Sequence, residues 1–351
     1  MLIAVGAVLL FGATATGASG ARSAPPEVVL NVSIGSDLNP PSAGVAFADA
    51  VRRLSNGRLA IAFRSVPEGL SVDSELLALR EVRTGSTEMG WIPTRGWDTQ
   101  GLKTFTALQA PFLITDYTLL QKVLSEIGQS MLPGTRSRGV RTLGLVATDL
   151  RRLLGARKPF VAPADFRGAK LRVPAGSRVS STMLEALGAT PVQIASGVGL
   201  EDALKDGTVD GAETSFGYIL LNGYYAVATH VTANLVFYPR VDAISINERA
   251  FQALAPHDRT ILEKAAAQVT KRSFVGLAAR DREQLRLLCA AGLKAAGSTS
   301  PQLSALRRTV QPVYETLKED RATARRIAQI QKLKKGTRAA APLQVPAGCA
   351  A

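Results

Sequence analysis

Apolar and polar positions alternate in short runs that repeatedly give way to helical spacing. Residues 28–36, "VVLNVSIGS", alternate and predict a strand. The next run, "AGVAFADAVRRLSNG", repeats its apolar residues every three to four positions, predicting a helix that Ser42 caps and Gly57 stops. A strand "RLAIAFR" (58–64), a helix "DSELLALREVRTG" (73–85) closed by Gly85 and a strand "TEMGWI" (87–92) follow. A helical run at 116–132 and the strand "VRTLGLVA" (140–147) complete a first unit.

The pattern then starts again. "AKLRVP" (169–174) predicts a strand, "SRVSSTMLEALG" (177–188) a helix, and "TPVQI" (190–194) a strand. A short helix "LEDALKDG" (200–207) leads to "VDGAET" (209–214), and "VDAISINERA" (241–250) predicts another strand. From 256 to 291 one long helical pattern runs almost unbroken, suited to a brace across both units. Strands alternating with helices in this way predict an α/β fold of two doubly wound domains around a cleft. The expected boundaries are 27–149 with about 240–279 for domain I, and 150–239 with about 280–330 for domain II.

The N-terminus differs. "LIAVGAVLLFGATATGASGA" (2–21) is an apolar run decaying into small residues, the form of a cleaved signal peptide, although no Lys or Arg precedes it. Its Gly, Ala, Ser and Thr content argues against a membrane anchor, and no later segment is apolar enough to cross a bilayer. The expectation is an exported, periplasmic protein.

Composition is that of a globular chain, 46% hydrophobic and 20% charged. The net charge of +14 is concentrated at the end: from Arg280 onward, 14 Lys and Arg stand against 5 Asp and Glu. Residues 331–351 therefore read as a basic, flexible tail and not as a nucleic-acid surface, for which no motif is present. Cys289 reads as a small core residue and Cys349 as part of the tail; two distant cysteines predict neither a disulfide framework nor a metal site.

The catalytic inventory is thin. His230 and His257 are far apart, and no metal-ligand spacing, G-x-S-x-G elbow, P-loop or full dinucleotide fingerprint occurs. No cofactor and no enzymatic activity are expected. What stands out is Arg172, at the carboxyl end of a predicted strand, where ligands of open α/β sheets bind. Its planar fork of donors suits a carboxylate.

Five segments carry a family resemblance: "LLALREVRTGSTEMGW" (76–91), "LQAPFLITD" (108–116), "DFRGAKLRVP" (165–174), "LEALGATPV" (184–192) and "ALKDGTVDGAE" (203–213). Together, and in this order, they resemble the DctP-type solute-binding proteins of TRAP transporters from about residue 28 to 325. The resemblance implies a type II periplasmic-binding-protein-like fold, its domains bridged by hinge strands and a long helix. It implies a receptor that carries a small carboxylate to a membrane permease, with a monomer as the default. By the same resemblance Arg172 meets the ligand's carboxylate, and a second arginine twenty residues upstream falls on Arg152, with Arg151 adjacent. Thr214 takes the place of a ligand-facing Asn beside Glu213, and "ASGVGLED" (195–202) departs from the family pattern, so the acid itself is left open. Trp91 and Thr94 are expected on the opposing wall, with Tyr218 as a further candidate. Two other readings share the scaffold: a ligand sensor for a signalling partner, and a secreted enzyme.

Overall fold

The computed structural model describes residues 26–35, 40–66, 72–338 and 340–350. The signal segment expected at 1–21 lies outside the described residues. In the first unit β1 (Val28–Ile34), α1 (Ser42–Leu54), β2 (Leu59–Ser65), α2 (Ser74–Thr84) and β3 (Met89–Pro93) alternate, and β1 pairs in parallel with both β2 and β3. Gly85 closes α2 at φ 84°, a left-handed conformation in which a side chain would be strained. Next come α3 (Tyr117–Glu126), capped by the Asp116 carboxylate accepting from the Leu119 N–H at 2.9 Å, then α4 (Gly128–Met131) and β4 (Val140–Gly155).

The second unit contains α5 (Pro163–Phe166), β5 (Lys170–Val173), α6 (Arg178–Ala186), β6 (Thr190–Gln193), α7 (Val198–Lys205), β7 (Gly211–Thr214), α8 (Phe216–Leu221) and β8 (His230–Thr232). The chain returns through β9 (Tyr238–Asn247), α9 (Glu248–Ala253), α10 (Pro256–Arg272), α11 (Leu277–Ala290) and β10 (Lys294–Ala296). It closes with α12 (Ser300–Thr309), α13 (Gln311–Lys318) and α14 (Arg321–Lys335).

The strands join in the order β2-β1-β3-β9-β4-β7-β5-β6, with β8 and β10 off this path. β4 holds the lobes together. Its first half pairs with β9 in one lobe, and its last four residues pair with β7 in the other. It is twice as long as its alternation predicts, because Thr148 and Asp149 interrupt the pattern while the chain continues. The β4–β9 pairing slips there, between Ala147 and Leu150.

Three expectations are corrected. The long helix at 256–291 is two helices, broken between Arg272 and Leu277. Ser273 turns its hydroxyl to accept the Ala147 N–H at 3.1 Å, where β4 leaves its ladder, and Gly276 adopts φ 76°. The cysteines are bonded: Cys289 on α11 and Cys349 form a disulfide across 60 residues. The tail is tied down accordingly. Residues 331–335 finish α14, where the Lys334 ammonium donates to the Phe112 and Leu113 carbonyls at 3.0 and 2.6 Å. Farther on, Ala350 bridges to Ala295, whose N–H donates to the Cys349 carbonyl at 2.7 Å.

A cross-link closing a loop of this length stabilises by about 4 kcal/mol on the chain-entropy model. Replacing Cys289 and Cys349 with Ser should lower the urea midpoint by an amount equivalent to about 2–4 kcal/mol. Two alkylatable thiols in the oxidised, denatured protein would show that the bond does not form.

Burial also pushes the Asp98 carboxyl up to about 6 from an ordinary 3.8. Its Oδ1 is buried without a partner. The folded state thus holds this proton more tightly than the unfolded chain does. The carboxyl's contribution to stability is greatest below about pH 4 and is lost as pH rises through 6, a penalty of about 3 kcal/mol at neutrality. Asp98→Asn should raise the melting temperature at pH 7, and the gain should vanish near pH 4.

Candidate functional site

Arg172, next to last in β5, lies beneath the junction of the lobes, 3% exposed. Its Nε donates to the Ile194 carbonyl at 2.8 Å, Nη1 to the Glu213 carbonyl at 3.4 Å and Nη2 to Ser196 Oγ at 2.9 Å. Three of five N–H groups are engaged, which leaves one on each terminal nitrogen. No carboxylate among the described residues forms an ion pair with it. Burial pushes its pKa down to about 10, partly offset by Glu213, so the guanidinium remains charged at neutral pH.

Two further arginines share this cluster. Arg151 pairs with the fully buried Glu213 through Nε and donates from Nη2 to the Glu213 carbonyl at 3.0 Å. Burial acts to lower its pKa, but Glu213 outweighs it and holds it above the ordinary value. For Glu213, burial acts in the opposite sense to Arg151, Arg95 and Arg172, which together keep the carboxylate ionised. Arg95, 5% exposed in the turn after β3, pairs with Glu75 at the start of α2. The lobes touch beside it: a Cβ on Gly176 would lie 2.8 Å from Leu76 Cδ2. Four atoms here are buried with no hydrogen-bond partner: Arg95 Nε, Glu75 Oε2, Glu213 Oε2 and Ser177 Oγ.

A cavity of about 610 Å³ opens next to this cluster. Glu75 and Trp91 line it from the first lobe, Tyr218 from the second, and Thr148, Asp149, Arg240 and Asp242 from the crossing strands. Trp91 Nε1 donates to Asp242 Oδ2 at 3.0 Å, Arg240 Nε donates to Asp242 Oδ1 at 2.9 Å, and Arg240 Nη1 reaches the Tyr218 hydroxyl. Arg172 does not line this cavity. It lies in the adjoining buried cluster, joined to the cavity through Glu75–Arg95 on one side and Arg151–Tyr218 on the other.

The structure brings Arg172, Glu213, Trp91 and Tyr218 to this junction. Arg152 is not among them. The β4–β7 pairing places Arg152 opposite Thr214, so both side chains share the face away from Arg151 and Glu213. Arg152 is instead spent on structure. It donates to Asp281 Oδ2 at 2.6 Å and to the Ala233 and Leu150 carbonyls, with its guanidinium 4.2 Å from the Phe216 ring centre. Thr94 is buried beside Arg95 but does not line the cavity. Arg95, Glu75, Arg240 and Asp242 were not singled out from sequence. The clue for the last two is "RVD" within an apolar strand, where opposite charges two residues apart share a face.

Two α/β lobes joined by shared strands, with buried cations at the seam, define a two-lobed architecture with its charged groups gathered between the lobes. The chain belongs to the bacterial extracellular solute-binding protein family 7, whose model matches residues 39–320. An uncharacterized protein of Sinorhizobium fredii is 29% identical over 55% of this chain; the chain spans about a third (35%) of that relative's length. Among solved structures it is similar to a TRAP periplasmic solute-binding protein of Ralstonia eutropha with bound (S)-2-acetolactate. That likeness has a TM-score of 0.78 and 24% identity, covering 88% of this chain and 99% of the other. A second, from Roseobacter denitrificans with bound β-D-glucuronate, gives 0.76 and 23% over 86% and 99%. At such identities these structures establish the shared two-lobed fold. No helix among the described residues is long and apolar enough to cross a membrane.

The two arginine environments predict opposite behaviour without ligand. Arg152→Ala strands Asp281 in the interior and should destabilise the apo protein by about 3–5 kcal/mol. Arg172→Ala removes a buried cation that has no acid partner and should change apo stability by no more than about 1 kcal/mol. Chemical denaturation of both variants tests this, and equal losses would refute it.

Proposed function

We propose that this chain is the periplasmic receptor of a TRAP transporter, exported by a cleaved signal peptide at 1–21, which captures a small organic acid and delivers it to the membrane permease. The observation that carries this reading is Arg172: a desolvated, charged guanidinium at the seam of two lobes, with two N–H groups to spare and no ion-pair partner among the described residues. A ligand carboxylate supplies the missing charge. Inside a closed cleft such a pair is screened far less than at the surface, and bidentate geometry fixes the ligand's orientation.

The relatives' ligands support the class. Acetolactate and glucuronate differ in size and share one carboxylate. In this chain Arg151 takes the place by Arg172 that the twenty-residue spacing assigned to Arg152. Trp91 and Tyr218 form opposing walls, and Glu213 holds Arg151 in position. On this reading the acid is bound and released unchanged.

A thermal-shift screen of carboxylic acids, followed by calorimetry, tests the reading. The cognate acid should raise the melting temperature of the wild type and leave that of Arg172→Ala unmoved, with about 2–5 kcal/mol of binding lost. Arg172→Lys should also bind poorly, because an ammonium cannot reproduce the planar fork. Undiminished affinity in Arg172→Ala would end the assignment, and consumption of the acid would make the chain an enzyme.

A further inference from the structure

Helix α14 carries six Lys and Arg and no Asp or Glu. Its inner side is settled: Thr323, Ile327 and Ile330 are buried, and the half-buried Lys334 is engaged by the Phe112 and Leu113 carbonyls. The opposite side is exposed. Positions 321, 325, 328, 332 and 335 recur every three to four residues, so Arg321, Arg325, Lys332 and Lys335 form one stripe about 20 Å long. Beside it Arg326 donates to the Ser130 carbonyl at 3.2 Å, Lys122 on α3 reaches the Gly336 carbonyl at 3.4 Å, and Arg338 is exposed past the helix end. None of these cations forms an ion pair among the described residues. Other surface helices pair theirs within a turn: Arg52 with Asp49 on α1, Arg286 with Glu283 on α11 and Lys318 with Glu315 on α13. On and around α3 and α13, which pack against α14, acids are few. Asp116 and Asp320 cap α3 and α14, Glu315 is paired, and Glu126 and Glu319 remain.

We propose that this face of α14 docks the protein on an anionic phospholipid surface, by charge and without insertion. The exposed residues between the cations are Ala328, Gln329 and Gln331. They offer no aromatic or large apolar anchor to seat in a protein partner or to stack on a base. A bilayer of acidic lipids requires none. Its negative charge is spread over a plane, and each Lys or Arg within a Debye length of it is attracted. Because these bases are unpaired, docking breaks no ion pair. No residue of α14 or α3 lines the cavity of about 610 Å³, so this surface is separate from the ligand site. The proposal goes beyond the receptor reading and does not depend on which acid is bound.

Sedimentation of the processed protein, free of the apolar run at 2–21, with vesicles makes the test. The vesicles are phosphatidylcholine alone or with roughly one-third phosphatidylglycerol. Binding should appear only on the acidic vesicles at low salt, and about 1 M salt, which shortens the Debye length to about 3 Å, should release it. Arg321→Gln, Arg325→Gln, Lys332→Gln and Lys335→Gln combined should weaken that binding by about a hundredfold or more, and Arg325→Gln with Lys332→Gln alone by about tenfold. Arg52→Gln, Lys264→Gln, Lys271→Gln and Arg286→Gln combined remove the same net charge from α1, α10 and α11 and should cost less than about tenfold. Melting curves check that each variant folds. Equal losses in the two fourfold variants, binding that survives high salt, or equal binding to neutral vesicles would overturn the proposal. So would tighter binding of polyglutamate or duplex DNA than of acidic vesicles at matched charge, which would make the partner a protein or a nucleic acid.

Discussion

A charged guanidinium buried where two lobes meet, with no ion-pair partner among the described residues, constrains everything around it. Burial disfavours the charged form, and Arg151 and Arg95 add repulsion. What holds Arg172 in place is backbone and one hydroxyl: the Ile194 and Glu213 carbonyls and Ser196. Glu213 contributes twice. Its carboxylate neutralises Arg151 and its field supports Arg172, so one buried acid keeps two cations tolerable. Removing it would leave adjacent uncompensated charges, and the site would have to unfold or fill with water.

The crossing strands meet at the same seam. β4 and β9 are the strands that pass between lobes, and their ladder is already interrupted between Ala147 and Leu150. The break between α10 and α11 falls at that height, because Ser273 takes the N–H that Ala147 no longer gives to the sheet. A bend there sacrifices few further hydrogen bonds. Arg151 and Asp149 lie beside the slip, and Arg240 and Asp242 lie across from it on β9. Rotation of the lobes would therefore move the charged groups of the site relative to one another.

Much of the fold was legible because each unit repeats a strong local pattern: alternating strand, amphipathic helix, glycine stop. Arg172 drew notice because it stands near the carboxyl end of a predicted strand and within a family motif, and the structure buries it there. Which of Arg151 and Arg152 lies beside it was left open. In "DLRRLLG" a slip of one residue exchanges the two faces, and the irregularity at Thr148 and Asp149 resets the count before Arg151 is reached. The disulfide was hidden for a different reason. Cys289 has an ordinary core spacing, and only the course of residues 340–350 past α11 brings Cys349 to it. Arg95 and Arg240 were passed over because arginine is usually a surface residue, and their burial depends on contacts between distant segments.

The departures from the family pattern fall in informative places. Thr214, in the position of the family's asparagine, pairs across from Arg152, so its side chain lies on the face away from Arg151 and Glu213. The altered "ASGVGLED" segment is nearer to the anchor. Ser196 bonds Arg172 directly, and the Gly197 N–H donates to the Tyr224 hydroxyl at 2.6 Å with the glycine at φ 81°. A side chain at Gly197 would strain that turn and displace Ser196. What surrounds the cation here is thus a serine, a glycine turn and two backbone carbonyls.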